Sequence, residues 1–295
     1  MGSKRANILN NSRVTKPVDA VESYSLRHFD VSDFERVREK LAEFKHDLPK
    51  RFVFIADFDN TLTQRGYSIW EALTHALPEV GRQDSNAERS INLAKEAAGK
   101  LRGEEVIAWS ERELSRYATY GVTLASIDKA VRHIKLRRGA RKLFRICAAA
   151  GVESHIISTG VTEAIEALVR RKKLQLTKVH SNRLLTEEGV VVEWDRAGML
   201  HVLNKHEYGA QAMTTGGRKL TELRQIVLGD NRHDADMAPD ESALRIRVRG
   251  KNGNTKDYLK ESFSKSRISS GFDLVLKTES LLPVVDLMEW LIKPV

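Results

Sequence analysis

The chain has 295 residues, 41% hydrophobic and 30% charged, which is an ordinary globular composition with room for one large domain or one domain plus an insertion. Its single cysteine, Cys147, excludes an internal disulfide and sits in an apolar helical stretch as a buried structural thiol. The net charge of +9 raises nucleic acid as a partner, yet the basic residues are spread among acids, so even the densest runs, Arg132 to Arg145 and Arg170 to Lys173, read as solvated helix faces and a helix end.

Residues 1–29 form a polar arm without the apolar core of a secretory signal. From Asp30-Val-Ser-Asp33 the spacing of Phe34, Val37, Leu41 and Phe44 predicts a helix to about Lys45. Phe52 to Ala56 reads as a buried strand that breaks into Asp57-Phe58-Asp59-Asn60-Thr61. Four helices then follow without a strand, at about 67–77, 85–101, 104–120 and 123–133. The α/β rhythm returns with a helix over 140–150, a strand over 152–158, a helix over 161–173 and a strand over 178–182. A hairpin or meander over 184–203 precedes a short helix at 217–223 and strands at 225–228 and 244–248. A helix near 254–264, a strand at 272–276 and a helix over 279–292 finish the chain. The expected fold is α/β: a Rossmann-like, doubly wound parallel sheet made of 30–64 and 138–295, with an all-helical cap at 65–137 and a β-hairpin. No apolar run approaches the roughly 18 residues of a membrane helix, so the expected address is the cytoplasm, with no membrane partner.

Four pieces fall at strand ends. Asp57 and Asp59 are two residues apart, so on an extended backbone they would share a side and crowd their charges. A hard divalent cation relieves such crowding, and a plain Asp/Asn turn is the other reading. Ser158-Thr159-Gly160 places hydroxyls before a helix, either to bind phosphate or to cap it. Lys205, alone, reads as surface. Gly229-Asp230-Asn231-Arg232-His233-Asp234 reads as a metal-side loop or a capping turn.

In this order, DFDNT, STG, Lys205 and GDNRHD resemble the four motifs of the haloacid dehalogenase superfamily of phosphohydrolases. Over about 30–64 and 138–292 the chain is similar to the pyrimidine 5′-nucleotidase (cytosolic 5′-nucleotidase III) family, through VFIADFDNTLT, HIISTGVTEAIEALVR, HSNRLLTEEG, HVLNKHE and IVLGDNRHDADMA. Thr159 departs from the small residue usual there. The resemblance implies a Mg²⁺-dependent phosphomonoester hydrolase acting on nucleoside 5′-monophosphates, with other small phosphomonoesters as the alternative substrates. It implies Asp57 as nucleophile and Asp59 as general acid and base. It implies Mg²⁺ on Asp57, the Asp59 main-chain oxygen and Asp230, supported by Asp234. Ser158, Thr159 and Lys205 would hold the phosphoryl group, with Asn60 and Thr61 shaping the turn.

In the cap, Trp109 is the candidate to stack a nucleobase, with Glu104 or Glu111 as acceptors for its edge. His201, His206 and His233 lie near the motifs and are expected to face solvent. A nucleic-acid-binding role is the distant alternative, opposed by four acids that would repel a phosphate backbone.

Overall fold

The strand Phe52–Ala56 (β2) is buried along its whole length because both of its faces are covered. The computed structural model describes residues 26–97, 103–214, 223–238, 240–248 and 271–294. Besides β2, its main sheet contains β1 (Phe29–Val31), β3 (Glu153–Val161) and β4 (Lys178–Asn182). After a separate hairpin of β5 (Leu184–Glu187) and β6 (Val190–Trp194), it is completed by β7 (Arg224–Gly229), β8 (Leu244–Val248) and β9 (Leu274–Leu276). The order is β1-β9-β8-β7-β2-β3-β4, parallel except for β1 against β9.

Period-two alternation divides β2 between two cores. Phe52, Phe54 and Ala56 face α1 (Phe34–His46) and the elements that follow the helical insertion. That insertion comprises α2 (Ile69–Thr74), α3 (Glu79–Ala97), α4 (Gly103–Thr119) and α5 (Leu124–Ala130). After it come α6 (Ala140–Ala149) and α7 (Thr162–Lys172). Phe52 meets Phe44 of α1 edge-on at 5.3 Å, and Phe54 meets Phe144 of α6 at 5.8 Å. Each such ring contributes about 1.5–3 kcal/mol by leaving water. Val53 and Ile55 face the second core with Ile157, Leu200 and Val227, on the side of α8 (Lys205–Thr214). The last helix, α9 (Leu282–Ile292), packs on α1 and α6.

Several elements depart from expectation. Residues 29–31 form an edge strand, and α1 begins only after Asp33, whose carboxylate accepts from Arg36 N. The helix expected from Ser85 already starts at Glu79, directly after Pro78. The strand expected to stop at Ser158 continues to Val161 past a register shift. Consequently neither Ser158 nor Thr159 caps α7, whose N-cap is Val161. Residues 205–214, which carry no predicted element, are α8. The helix near 254–264, nearly all of the one at 217–223 and most of the arm at 1–29 lie outside the described residues. The hairpin packs on α4 of the insertion: Trp194 Nε1 donates to Ser115 Oγ at 3.2 Å, and Val191 N donates to Val122 O at 2.8 Å. Among the described residues no helix is long and apolar enough to cross a membrane.

Candidate active site

The carboxyl ends of β2, β3 and β7 meet where β2 lies between its two parallel neighbours, the crevice in which open α/β sheets place ligands. Asp57 N donates to Leu228 O at 2.9 Å, which brings the loop after β7 beside the loop after β2. The chain leaves extended geometry at that point. Leu62 N donates to Phe58 O at 2.9 Å, and Asn60 takes a φ of 58°. Buried Arg137 holds the turn from outside, donating to Asn60 O through Nε and Nη2 at 3.1 and 2.6 Å. Arg137 therefore does not belong to the solvated basic face the sequence suggests. Its neighbours fit that reading better: Arg132 pairs with Asp128, and Lys142 with Glu289.

Lys205, at the first turn of α8, is buried and donates to Asp57 Oδ1 at 2.8 Å and Asp234 Oδ1 at 2.6 Å. Asp234 Oδ2 accepts from the amides of Asp230 and Asn231 at 3.0 and 2.8 Å. The capping turn and the charged site considered for this loop are thus one arrangement. Asn231 caps the 3₁₀ turn Arg232–Met237, and Asp234 closes its capping box while holding Lys205. Two glycines permit the close approach. A Cβ on Gly229 would lie 2.2 Å from the Asp234 Cβ, and one on Gly209 would lie 1.9 Å from the Met237 carbonyl oxygen.

Thr61 Oγ1 lies 2.9 Å from Asp57 Oδ2 and 3.3 Å from Asp230 Oδ1. A hydroxyl has one proton, so it serves one carboxylate at a time. Oxygens of Asp57, Asp230 and Asp234 fall within 4.8 Å of one another. Three carboxylates thus share one ammonium, and Asp234 is already engaged at both oxygens. Burial pushes Asp57 up to about 6 despite Lys205, and burial with Asp57 and Asp234 nearby raises Asp230 well above the carboxylate range. Burial opposes the charge on Lys205, yet Asp234 and Asp57 hold its pKa above the ordinary lysine value. The all-oxygen donors and the surplus of negative charge fit a hard divalent cation between Asp57 and Asp230.

Asp59 is held from the insertion, with the Asp57 charge nearby. Its Oδ1 turns to accept from Ile69 N at 2.8 Å, at the start of α2, and burial pushes it up to about 7. On β3, buried Ser158 Oγ accepts from Gly160 N at 3.1 Å. Fully buried Asn182, which the sequence shows only as a strand end, joins two parts of the site. Its Nδ2 donates to Thr159 O at 2.7 Å, and its Oδ1 accepts from Leu200 N at 2.8 Å, on the segment leading to Lys205.

Thr159 also lines a cavity of about 240 Å³ beneath the insertion, with Trp70, Arg89, Trp109 and Glu113. Trp109 lines this cavity, whereas Glu111 is exposed on α4 and Glu104 is exposed at its start. The acid at the cavity is Glu113, buried and raised by that burial, accepting from Ser85 Oγ at 2.9 Å. Its helical register relative to Trp109, four residues apart, was the available signal. His206 is exposed; His201 and His233 are partly buried, so only His206 fully matches expectation.

A crystal structure of cytosolic 5′-nucleotidase IIIB bound to cytidine superposes with a TM-score of 0.72 at 19% identity, covering 93% of this chain and 98% of that one. A phospho-aspartyl intermediate analogue of phosphoserine phosphatase gives 0.53 at 18% identity, over 80% and 98% of the two chains. A HAD family hydrolase from Salmonella enterica subsp. enterica serovar Typhi gives 0.57 at 18% identity, over 81% and 72%. The fold is that of the haloacid dehalogenase phosphatases. The family profile described as Pyrimidine 5′-nucleotidase (UMPH-1) matches residues 85–292, more than half of the chain, and the chain belongs to that family. It is a phosphomonoester hydrolase.

Proposed function

We propose that the chain hydrolyses pyrimidine nucleoside 5′-monophosphates in the cytoplasm, through an aspartyl-phosphate and with Mg²⁺. The observation that carries this reading is the buried Lys205 bridge between Asp57 and Asp234, set beside a third carboxylate, Asp230. Asp57, the Asp59 main-chain oxygen and Asp230 would hold the ion. Bound there, Mg²⁺ would supply positive charge to offset that of the phosphoryl group. Asp57 attacks phosphorus, and the phosphorus–O5′ bond breaks. Asp59, near 7 and fixed at one oxygen by Ile69 N, gives its proton to the leaving oxygen. It then takes a proton from the water that cleaves the acyl phosphate, restoring Asp57. Lys205, the Ser158 hydroxyl and the Thr159 amide hold the phosphoryl oxygens, while Asp234 and Thr61 fix Lys205 and Asp57.

The helical insertion at 65–137, joined by the hairpin at 184–194, acts as the cap. Its cavity receives the nucleoside, with Trp109 or Trp70 against the base and Glu113 at its edge. The cytidine of the nucleotidase IIIB structure supports the choice of a pyrimidine. The test is phosphate release from CMP, UMP, purine monophosphates and phosphoserine, with Mg²⁺ and with EDTA. Metal-dependent turnover of CMP or UMP is expected, with a loss of at least about 10⁴-fold in Asp57→Asn. Turnover confined to phosphoserine, or unaffected by Asp57→Asn, would overturn the reading.

A further inference from the structure

Helix α2 is a wall between two cavities. Trp70 and Thr74, four residues apart, line the one of about 240 Å³. Tyr67, Glu71 and His75 line a second, open to solvent and of about 530 Å³, which Lys129 of α5 and His133 line on the other side. Ser68, the N-cap of α2, lines both. The wall is tied to the chemistry at two points. Its first amide, Ile69 N, is the donor that fixes Asp59. The Glu71 carboxylate lies 3.5 Å from Arg89, which lines the smaller cavity.

We propose that the second cavity binds a nucleoside phosphate and that this ligand tunes the first cavity through α2. The lining selects the class. Lys129, His75 and His133 offer donors to an anion. Tyr67 offers a ring face, already visited by Lys135 Nζ at 5.4 Å from its centroid. Glu71 offers an acceptor for a ribose hydroxyl or a base amino group. Inorganic phosphate would leave Tyr67 and Glu71 unused, and an apolar ligand would strip the Lys129 ammonium of water. The volume is that of pockets for ligands of this size. A ligand that engages Glu71 withdraws it from Arg89 and so alters the charge facing the substrate. Contacts along Tyr67 and His75 press on the helix whose first amide holds Asp59.

The experiment titrates the full-length chain calorimetrically with adenylyl imidodiphosphate, which resists hydrolysis between its terminal phosphates, in excess Mg²⁺. Binding should weaken at least tenfold in Lys129→Glu and in Tyr67→Ala, and less than twofold in Trp109→Leu. The analogue should also shift KM for CMP at least threefold in the wild type and not in Lys129→Glu. The effect on turnover rests on the proposed function, whereas binding does not. If CMP is not hydrolysed while Lys129-dependent binding persists, the nucleotidase reading fails and the cavity assignment stands. Absence of binding, equal binding of inorganic phosphate, or loss in Trp109→Leu instead of Lys129→Glu would overturn the site. Binding without any kinetic shift would overturn the coupling.

Discussion

The two walls of the cleft are built by different means. On the core side, three of the four carboxylates of the proposed site are tied to backbone or to a buried partner: Asp59 to Ile69 N, Asp234 to two amides, Asp57 to Lys205 and Thr61. On the insertion side, the cavity is lined mostly by side chains on helices, half-buried Trp70, Arg89 and Trp109 beside buried Glu113, and Arg89 pairs with Glu71 at 3.5 Å. Backbone anchors fix positions to fractions of an ångström, which phosphoryl transfer requires. Side chains on α3 and α4 can be exchanged without touching those anchors, whereas α2 supplies one of them through Ile69 N. On the proposed function, the core wall would decide what bond is broken, and the insertion in which molecule.

The sharpest way to break the core wall is Lys205→Met. It leaves buried Asp57 and Asp234 and partly buried Asp230 together without their ammonium. Removing one partner of a buried ion pair costs about 3–5 kcal/mol. Urea unfolding without divalent cation should show a loss of this size, and millimolar Mg²⁺ should restore part of it. Retention of wild-type stability in EDTA would mean that Lys205 does not offset the cluster.

Gly209→Ala attacks the same wall through packing. The added methyl meets the Met237 carbonyl, so α8 must move from the turn that carries Asp234. Overpacking of this kind costs about 1–3 kcal/mol, more than the gain in helix propensity of alanine over glycine, about 1 kcal/mol. Turnover should fall with stability, because Lys205 rides on α8. Gly209 also explains why α8 was hard to read. A glycine inside a helix weakens the pattern, and here it is present for a contact 28 residues away in the chain.

Elsewhere the sequence is legible in proportion to how local the cause is. Strands β2 and β7 and their terminal aspartates follow from apolar runs ending abruptly, so the first and last motifs stand out. The three-residue β1 does not, because it is defined by pairing with β9, far along the chain. Lys205 gains meaning only from the resemblance, since nothing beside it marks burial. Arg137 sits in a basic run, and only the fold shows that it holds the Asn60 carbonyl.

A third prediction concerns a region remote from both walls. His155 is fully buried, and its Nδ1 lies 3.2 Å from Nε2 of His180 on β4. Burial, with His155 nearby, lowers His180 from 6.5 to about 4. Between these values the unfolded chain binds the proton and the folded one does not. Stability is therefore full above pH 6.5 and is lost as pH falls toward 4, by on the order of 3 kcal/mol. Unfolding curves from pH 7 to 4.5 should show a shallower acid limb in His180→Gln than in the wild type. Equal limbs would refute the assignment.

The smallest effect is the one that tests the division of labour itself. Trp109→Leu keeps an apolar residue on α4 and removes an aromatic face from the cavity. Stacking a base on such a face contributes about 1–3 kcal/mol. KM for CMP should therefore rise roughly tenfold, with kcat changed by no more than about threefold. Hydrolysis of p-nitrophenyl phosphate, which brings no nucleoside, should be unchanged. A fall in kcat for both substrates would show that the cavity feeds back on Asp59 through α2, and the two walls would then be one machine. A rise in KM confined to the nucleotide would leave the core to do the chemistry and the insertion to choose the substrate.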